Sequence, residues 1–272
     1  MAVASLVFLG ILGAAVALSS VIMPYDPNRI DLQAAPMGKP QPPSRTHWLG
    51  VDNYGRDVLS RVISGGRVSL QVGVIATSIA LAFGVMIGAL AGYLGGIADS
   101  VLMRMLDIFL SIPSFFVILT LNAYLKPSIF NIMAIISLFG WMTVARLVRG
   151  ALLQLKEQEF VMAAHALGVP GFRLVLRHLL PNAMGPVIVA ATIGVPYAIL
   201  TESALSFLGL GVPAPHATWG SMLNLAKPWL AEAWWMWLPP GVMISLTVFS
   251  FNFIGDGIRD ALDPVQHGGK AH

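Results

Sequence analysis

The chain has 272 residues, of which 56% are hydrophobic and 11% charged, with a formal net charge of +3 and no cysteine. Soluble domains are about 25% charged, so an ordinary soluble fold is excluded and an all-α polytopic membrane protein is expected. Without cysteine there is no disulfide, thiolate metal site or thiol nucleophile, and no run of basic residues suggests a nucleic-acid surface.

Residues 3–23 form a first apolar span; about 20 such residues cross the hydrocarbon core. The basic n-region and small-x-small cleavage site of a secretory signal peptide are missing. Residues 24–67 are polar and proline-rich (Pro24, Pro27, Pro36, Pro40, Pro42, Pro43) and read as an external loop. Its last part, 47–63, sets Val58, Leu59, Val62 and Ile63 against Arg56, Asp57 and Arg61. That pattern predicts an interfacial amphipathic helix.

A second span is predicted at 68–93. Gly84, Gly88, Gly92 and Gly96 recur every fourth residue, a smooth groove for another helix in this subunit or a partner. Arg104 and Asp107, three apart, predict an ion pair at the entry to a third span, 108–125. Pro113 predicts a kink in that span.

The fourth span, 129–148, exits at Arg146 and Arg149, and a polar stretch at 149–181 follows. Phe160, Ala163, Ala164 and Leu167 fall on one helical face. Gly168 and Pro170-Gly171 stop that helix. Phe172, Val175, Leu176 and Leu179 repeat the spacing, Arg173 and Arg177 share another face, and Pro181 closes the unit. Glu159 early and Arg173, Arg177 and His178 late suit the helix dipoles. Two short amphipathic helices with a fixed break are expected, and small Ala163, Ala164 and Gly168 would admit another surface closely. A plain surface linker gives the same pattern.

The fifth span, 186–205, contains Pro196 and Glu202, the carboxylate deepest in any predicted span. Glu202 either faces a translocation path or braces a neighbouring helix. A second loop, 212–235, carries Trp219, Trp229, Trp234 and Trp235, which the membrane–water boundary favours. The sixth span is 237–254. Arg146, Arg149, Lys156, Arg173 and Arg177 place the 149–181 loop in the cytoplasm. Both termini are then cytoplasmic and 24–67 is external, against the opposing vote of Arg29, Lys39, Arg45, Arg56, Arg61 and Arg67.

No Gly-x-x-x-x-Gly-Lys-Ser/Thr loop exists, so ATP hydrolysis is not expected from this chain. No His-Glu-x-x-His pair offers a zinc site, and all six histidines lie in predicted loops or at an end. A membrane-embedded enzyme lacks a nucleophile–base set here; a stand-alone channel or secondary carrier is the better rival. Sparse intramembrane charge favours an energy source outside the chain.

The 157–181 stretch resembles the cytoplasmic "EAA" loop of ABC-importer permeases, with Ala163-Ala164, Gly168 and Leu180-Pro181 in register. Met162 stands where the motif's Glu is expected, and Glu159 lies one turn earlier. Segments 47–63, 202–211 and 255–264 also resemble the peptide/nickel branch (dipeptide and oligopeptide permease C-subunits), though Val265 replaces the usual Arg. The resemblance implies a type I importer transmembrane fold of six transmembrane helices in the inner membrane. It implies a heterodimer with a homologous permease, two ATPase subunits or domains carrying ATP and Mg, and an extracytoplasmic binding protein. No cofactor is implied in this chain. Glu159, Phe160, Ala163, Ala164, Leu167, Gly168, Arg173 and Pro181 become the expected ATPase-coupling residues, and di- or oligopeptides the expected cargo, with nickel or another small solute as alternative. Such permeases carry a longer, basic N-terminus, so the start is expected to be truncated or assigned late. The expected organisation is a first helix (1–23), an external loop (24–67), a five-helix core (68–264) and a tail (265–272).

Overall fold

A computed structural model describes residues 1–262; the tail at 265–272 and the Asp263-Pro264-Val265 ending lie outside the described residues. The helices are α1 (Ala2–Ala17), α2 (Ser19–Ile22), α3 (Val58–Leu94), α4 (Gly96–Leu110), α5 (Ser114–Tyr124) and α6 (Ile129–Lys156). Then come α7 (Glu159–Ala166), α8 (Gly171–Leu174), α9 (Leu180–Asn182), α10 (Met184–Phe207), α11 (Trp219–Ala226) and α12 (Trp234–Leu262). Among the described residues there is no strand, only bridges joining Gln41 to Val51 and Val51 to Asp57.

Four helices, α3, α6, α10 and α12, are each long and apolar enough to cross a membrane, and α4 with α5 is long and apolar enough only as a pair, bent by 78°. The 16 residues of α1 reach only about 24 Å, short of a core of about 30 Å. Six transmembrane helices were expected, the third kinked at Pro113; four long helices, a bent pair and a short apolar helix are found.

The separate interfacial helix is replaced by the start of α3. Asp57 caps that helix, its Oδ2 accepting from the Ser60 N–H at 2.8 Å and the Ser60 hydroxyl at 2.7 Å, and all 37 residues from Val58 are continuous. Such a helix is about 56 Å long, so it outreaches the hydrocarbon core. Val58 and Val62 pack on Met222, Trp235 and Met236, so half of the predicted apolar face is buried inside the protein, while Leu59 and Ile63 stay half-buried. Arg61 is buried, donating to the Pro27 carbonyl at 3.0 Å. Arg56 Nε donates to Asp52 Oδ2 at 2.7 Å, and Arg61 Nε lies 3.7 Å from the same oxygen. Two of the basic residues that opposed the expected orientation are thus held by one internal carboxylate.

The third span also differs. Its helix begins at Gly96 and breaks at Ser111–Pro113 instead of kinking. Proline disfavours helical geometry at its predecessor, and α5 restarts with Pro113 as N-cap. The expected Arg104–Asp107 pair gives way to bonds between helices. Asp107 accepts from Arg146 Nη2 at 2.6 Å, and Asp99 from Arg149 Nε and Nη2 at 2.5 and 2.7 Å. Packing beside α6 brings its long guanidinium side chains onto α4.

Helices α3 and α6 form the spine. A β-carbon on Gly84 would lie 2.5 Å from Val144 Cβ, on Gly88 2.9 Å from Val148 Cβ, and on Gly92 3.0 Å from Leu152 Cβ. The glycine groove is therefore filled from within the subunit. Gly96 is outside it, at the start of α4 with no neighbour within 4 Å. Across this spine α10 completes a core of Val68, Val72, Ala76, Ile132, Met133, Ile136 and Ala198.

Candidate functional site

The polar stretch begins where α6 ends. That helix runs on to Lys156, eight residues past its expected end, so residues 149–156 belong to the span and the irregular part is shorter than 149–181. After Gln158 turns extended, α7 runs for eight residues with Glu159 in its first turn. Val161 and Ala164 are buried, packing with Val148, Leu152, Leu174, Val175 and Leu179. The predicted face of Phe160, Ala163, Ala164 and Leu167 is thereby split. Ala164 points inward, whereas Phe160, Ala163 and Leu167 are exposed, Leu167 at 84%. Periodicity locates an apolar stripe but not the side on which its own bundle lies. The anchor it missed is Val161, whose signal was its i, i+3 relation to Ala164.

Gly168 ends α7 with φ of +74°. Its N–H donates to the His165 carbonyl at 3.0 Å and that of Val169 to the Ala164 carbonyl at 3.1 Å, the paired closure of a left-handed helix end. Nothing lies within 4 Å of a β-carbon added there, so the position faces open space.

Beyond Pro170 the chain is helical again and Pro181 does not close it. A π turn, Val175–Leu179, joins α8 to α9, with the Leu180 N–H reaching the Val175 carbonyl. The wider turn absorbs the N–H that Pro181 lacks, and α10 follows at Met184. Leu174, Val175 and Leu179 are buried, while Phe172 (77% exposed), Arg173, Leu176, Arg177 and Pro181 face outward. Phe160, Leu167, Phe172 and Leu176 thus stand exposed among Glu157, Glu159, Arg173 and Arg177. Lipid would not tolerate those charges and water would not favour those side chains; a protein surface suits both.

Glu202 lies 18 residues along α10 from Met184, about 27 Å away. It has no exposed surface. Ser206 donates to Oε1 at 2.5 Å, and Ser69 and Ser203 approach Oε2 at 3.4 and 3.5 Å. Thr218 donates to Ser206 at 3.3 Å, and the Trp219 N–H reaches Ser69 at 3.3 Å. This is the geometry of a brace joining α3, α10 and α11, with no face of the carboxylate turned to a solute. Trp219, expected at the membrane boundary, is fully buried with its Nε1–H on the Val62 carbonyl at 3.0 Å. Gly65 and Gly66 leave the room it fills.

Residues 84–266 match the family described as binding-protein-dependent transport system inner membrane component. The chain belongs to that family. This permease is 45% identical over 224 residues to an oligopeptide transport system permease protein of Bacillus subtilis (strain 168), covering 82% of this chain and 73% of the relative. It is 42% identical over 246 residues to a probable D,D-dipeptide transport system permease protein of Escherichia coli (strain K12), covering 90% of this chain and 81% of the relative. Its fold resembles a chain of the MetNI methionine ABC transporter in an inward-facing form, with a TM-score of 0.59 at 18% identity, covering 76% of this chain and 96% of the other. The permease therefore has the type I importer transmembrane fold.

Proposed function

We propose that this permease forms half of the translocation path of an ATP-driven, binding-protein-dependent importer of di- and oligopeptides. The cargo reading is supported by the peptide transport systems to which its relatives belong. Residues 157–181 dock on an ATPase partner, with Phe160, Ala163, Leu167, Phe172 and Leu176 as the apolar contact and Glu159 and Arg173 beside them. The observation that carries this reading is the outward apolar face on a polar unit whose two ends run directly into α6 and α10.

Coupling then has a mechanical form. ATP, with Mg, closes the ATPase pair and displaces the docked unit. Because α6 and α10 continue from it with little break, its displacement tilts both spans and exchanges inward for outward access. Coupling of this kind requires different contacts in the two states. The unit lies in the cytoplasm, the 24–57 loop outside, and α1 with α2 supplies the sixth crossing of the inner membrane. A homologous permease completes the path, and an extracytoplasmic binding protein delivers the peptide.

The test is capture of the ATPase by the purified permease pair, with transport measured in vesicles against a panel of peptides. Gly168→Asp should insert and pair normally but lose ATPase capture and peptide-stimulated ATP turnover. Normal capture and transport would reduce the stretch to a linker.

A further inference from the structure

The 157–181 unit is joined through the backbone to α6 and α10, yet it also touches α3, which no short connection links to it. Tyr93, in the last turn of α3, lies across Gly171, the first residue of α8. A β-carbon at Gly171 would overlap the Tyr93 hydroxyl and lie 2.6 Å from Cζ and 3.1 Å from Cε1. The φ of Gly171 is outside the left-handed region, so glycine serves here as room for the ring and not as a turn. The ring packs with the cluster that buries Val161 and Leu174.

Lys156, the last residue of α6, completes the junction. Its Nζ donates to the Tyr93 carbonyl at 2.9 Å and the Gly92 carbonyl at 3.3 Å, and stands 5.6 Å from the centroid of the Tyr93 ring. Those carbonyls belong to the end of α3, where a helix has acceptors without internal donors and favours a cation. The end of α3, the end of α6 and the start of α8 thus converge on one aromatic ring. At its other end α3 carries Ser69 and the Val62 carbonyl, both bonded to Trp219.

We propose that Tyr93 is a positioning residue: a strut between α8 and the end of α3 that passes displacement of the docked unit into α3, and so toward the Glu202–Trp219 brace at its other end. The proposal rests on the docking role given above. Without the strut, the unit still binds its ATPase but drives only α6 and α10, and ATP is hydrolysed with less transport.

The experiment uses the assembled transporter in lipid nanodiscs and vesicles. Tyr93→Ala should keep ATPase capture while peptide transported per ATP hydrolysed falls at least fivefold. Tyr93→Phe keeps the ring against Lys156 and Gly171 and should stay within twofold of wild type. Gly171→Ala asks the same question from the other side: it displaces the ring with a residue that favours helix, and should lower the ratio similarly even if Tyr93→Ala assembles poorly. Spin labels at Leu94→Cys and Arg177→Cys, exposed positions in a cysteine-free chain, should give one narrow distance in wild type and Tyr93→Phe and a broad one in Tyr93→Ala. An unchanged transport-to-ATP ratio in Tyr93→Ala and Gly171→Ala overturns the strut, whatever happens to yield. Loss of ATPase capture in Tyr93→Ala overturns it too, because a strut sets direction and not affinity. Gly168→Asp separates the two ideas: if it still captures the ATPase, docking fails by itself, whereas an unchanged ratio beside lost capture in Gly168→Asp removes only the strut.

Discussion

The two ends of the helical bundle solve opposite problems. At the end that carries α11, polar groups surrounded by apolar helices are bonded to one another: Glu202 to its hydroxyl partners, Trp219 to Val62, and α11 to the end of α10. Asn224 Nδ2 donates to the Ser206 and Phe207 carbonyls at 3.1 and 2.7 Å, and Lys227 donates to Phe207 as well. At the other end, apolar side chains among charges are left outward, with Val161 and Ala164 alone anchoring α7 in the buried core. An unpaired buried carboxylate or indole is costly, so the α11 end must satisfy itself to fold. Exposed Phe172 and Leu167 cost far less, and that apolar area can be recovered on association. One end is satisfied within the chain; the other carries the apolar face proposed to dock.

This contrast predicts that substitutions at the α11 end act on the fold and substitutions in 157–181 act on assembly. The largest effect is expected for Trp219→Ala, about 3–5 kcal/mol of lost stability, seen as a collapse of purified yield and of the thermal midpoint in detergent. Near-normal stability would show that Trp219 is not what holds α3 to α12. Gly88→Leu tests the spine between the two ends: overpacking against Ala145 and Val148 should cost about 1–3 kcal/mol and reduce assembly and transport together. Wild-type yield and transport would remove the close-packing account. Gly168→Asp should cost only what a left-handed backbone asks of a side chain, about 1–2 kcal/mol of stability, while ATPase capture is lost; a larger stability loss with capture retained would invert the comparison. The smallest effect is expected for paired cysteine probes, each within about 0.5 kcal/mol as exposed substitutions. An impermeant maleimide on intact cells should label Leu32→Cys and spare His165→Cys until the membrane is opened. Labelling of His165→Cys from outside would reverse the two ends.

Much of this was readable from the chain. Apolar length and scarce charge are properties of composition, so the membrane class, the main spans and the polar stretch at 157–181 emerged without coordinates. Gly168 was legible as a helix stop because a left-handed backbone favours glycine, and the glycine stripe was legible because a four-residue period keeps one helical face. The four-segment resemblance carried the family.

What the tertiary structure decided was direction and partner. Periodicity could not choose between Phe160 and Val161 as the inward side of α7, because both lie on apolar arcs and only the neighbouring α6 and π turn determine which is covered. It placed Asp107 with Arg104 by local spacing, whereas packing delivered Arg146 from another helix. Tryptophan's preference for interfaces misplaced Trp219, since Gly65 and Gly66, 153 and more residues earlier, had made a cavity for it. Sequence periodicity reports what one helix can do alone. Which neighbour fills a groove, bonds a carboxylate or stops a ring is decided by contacts between segments far apart in the chain, and only the folded bundle brings those together.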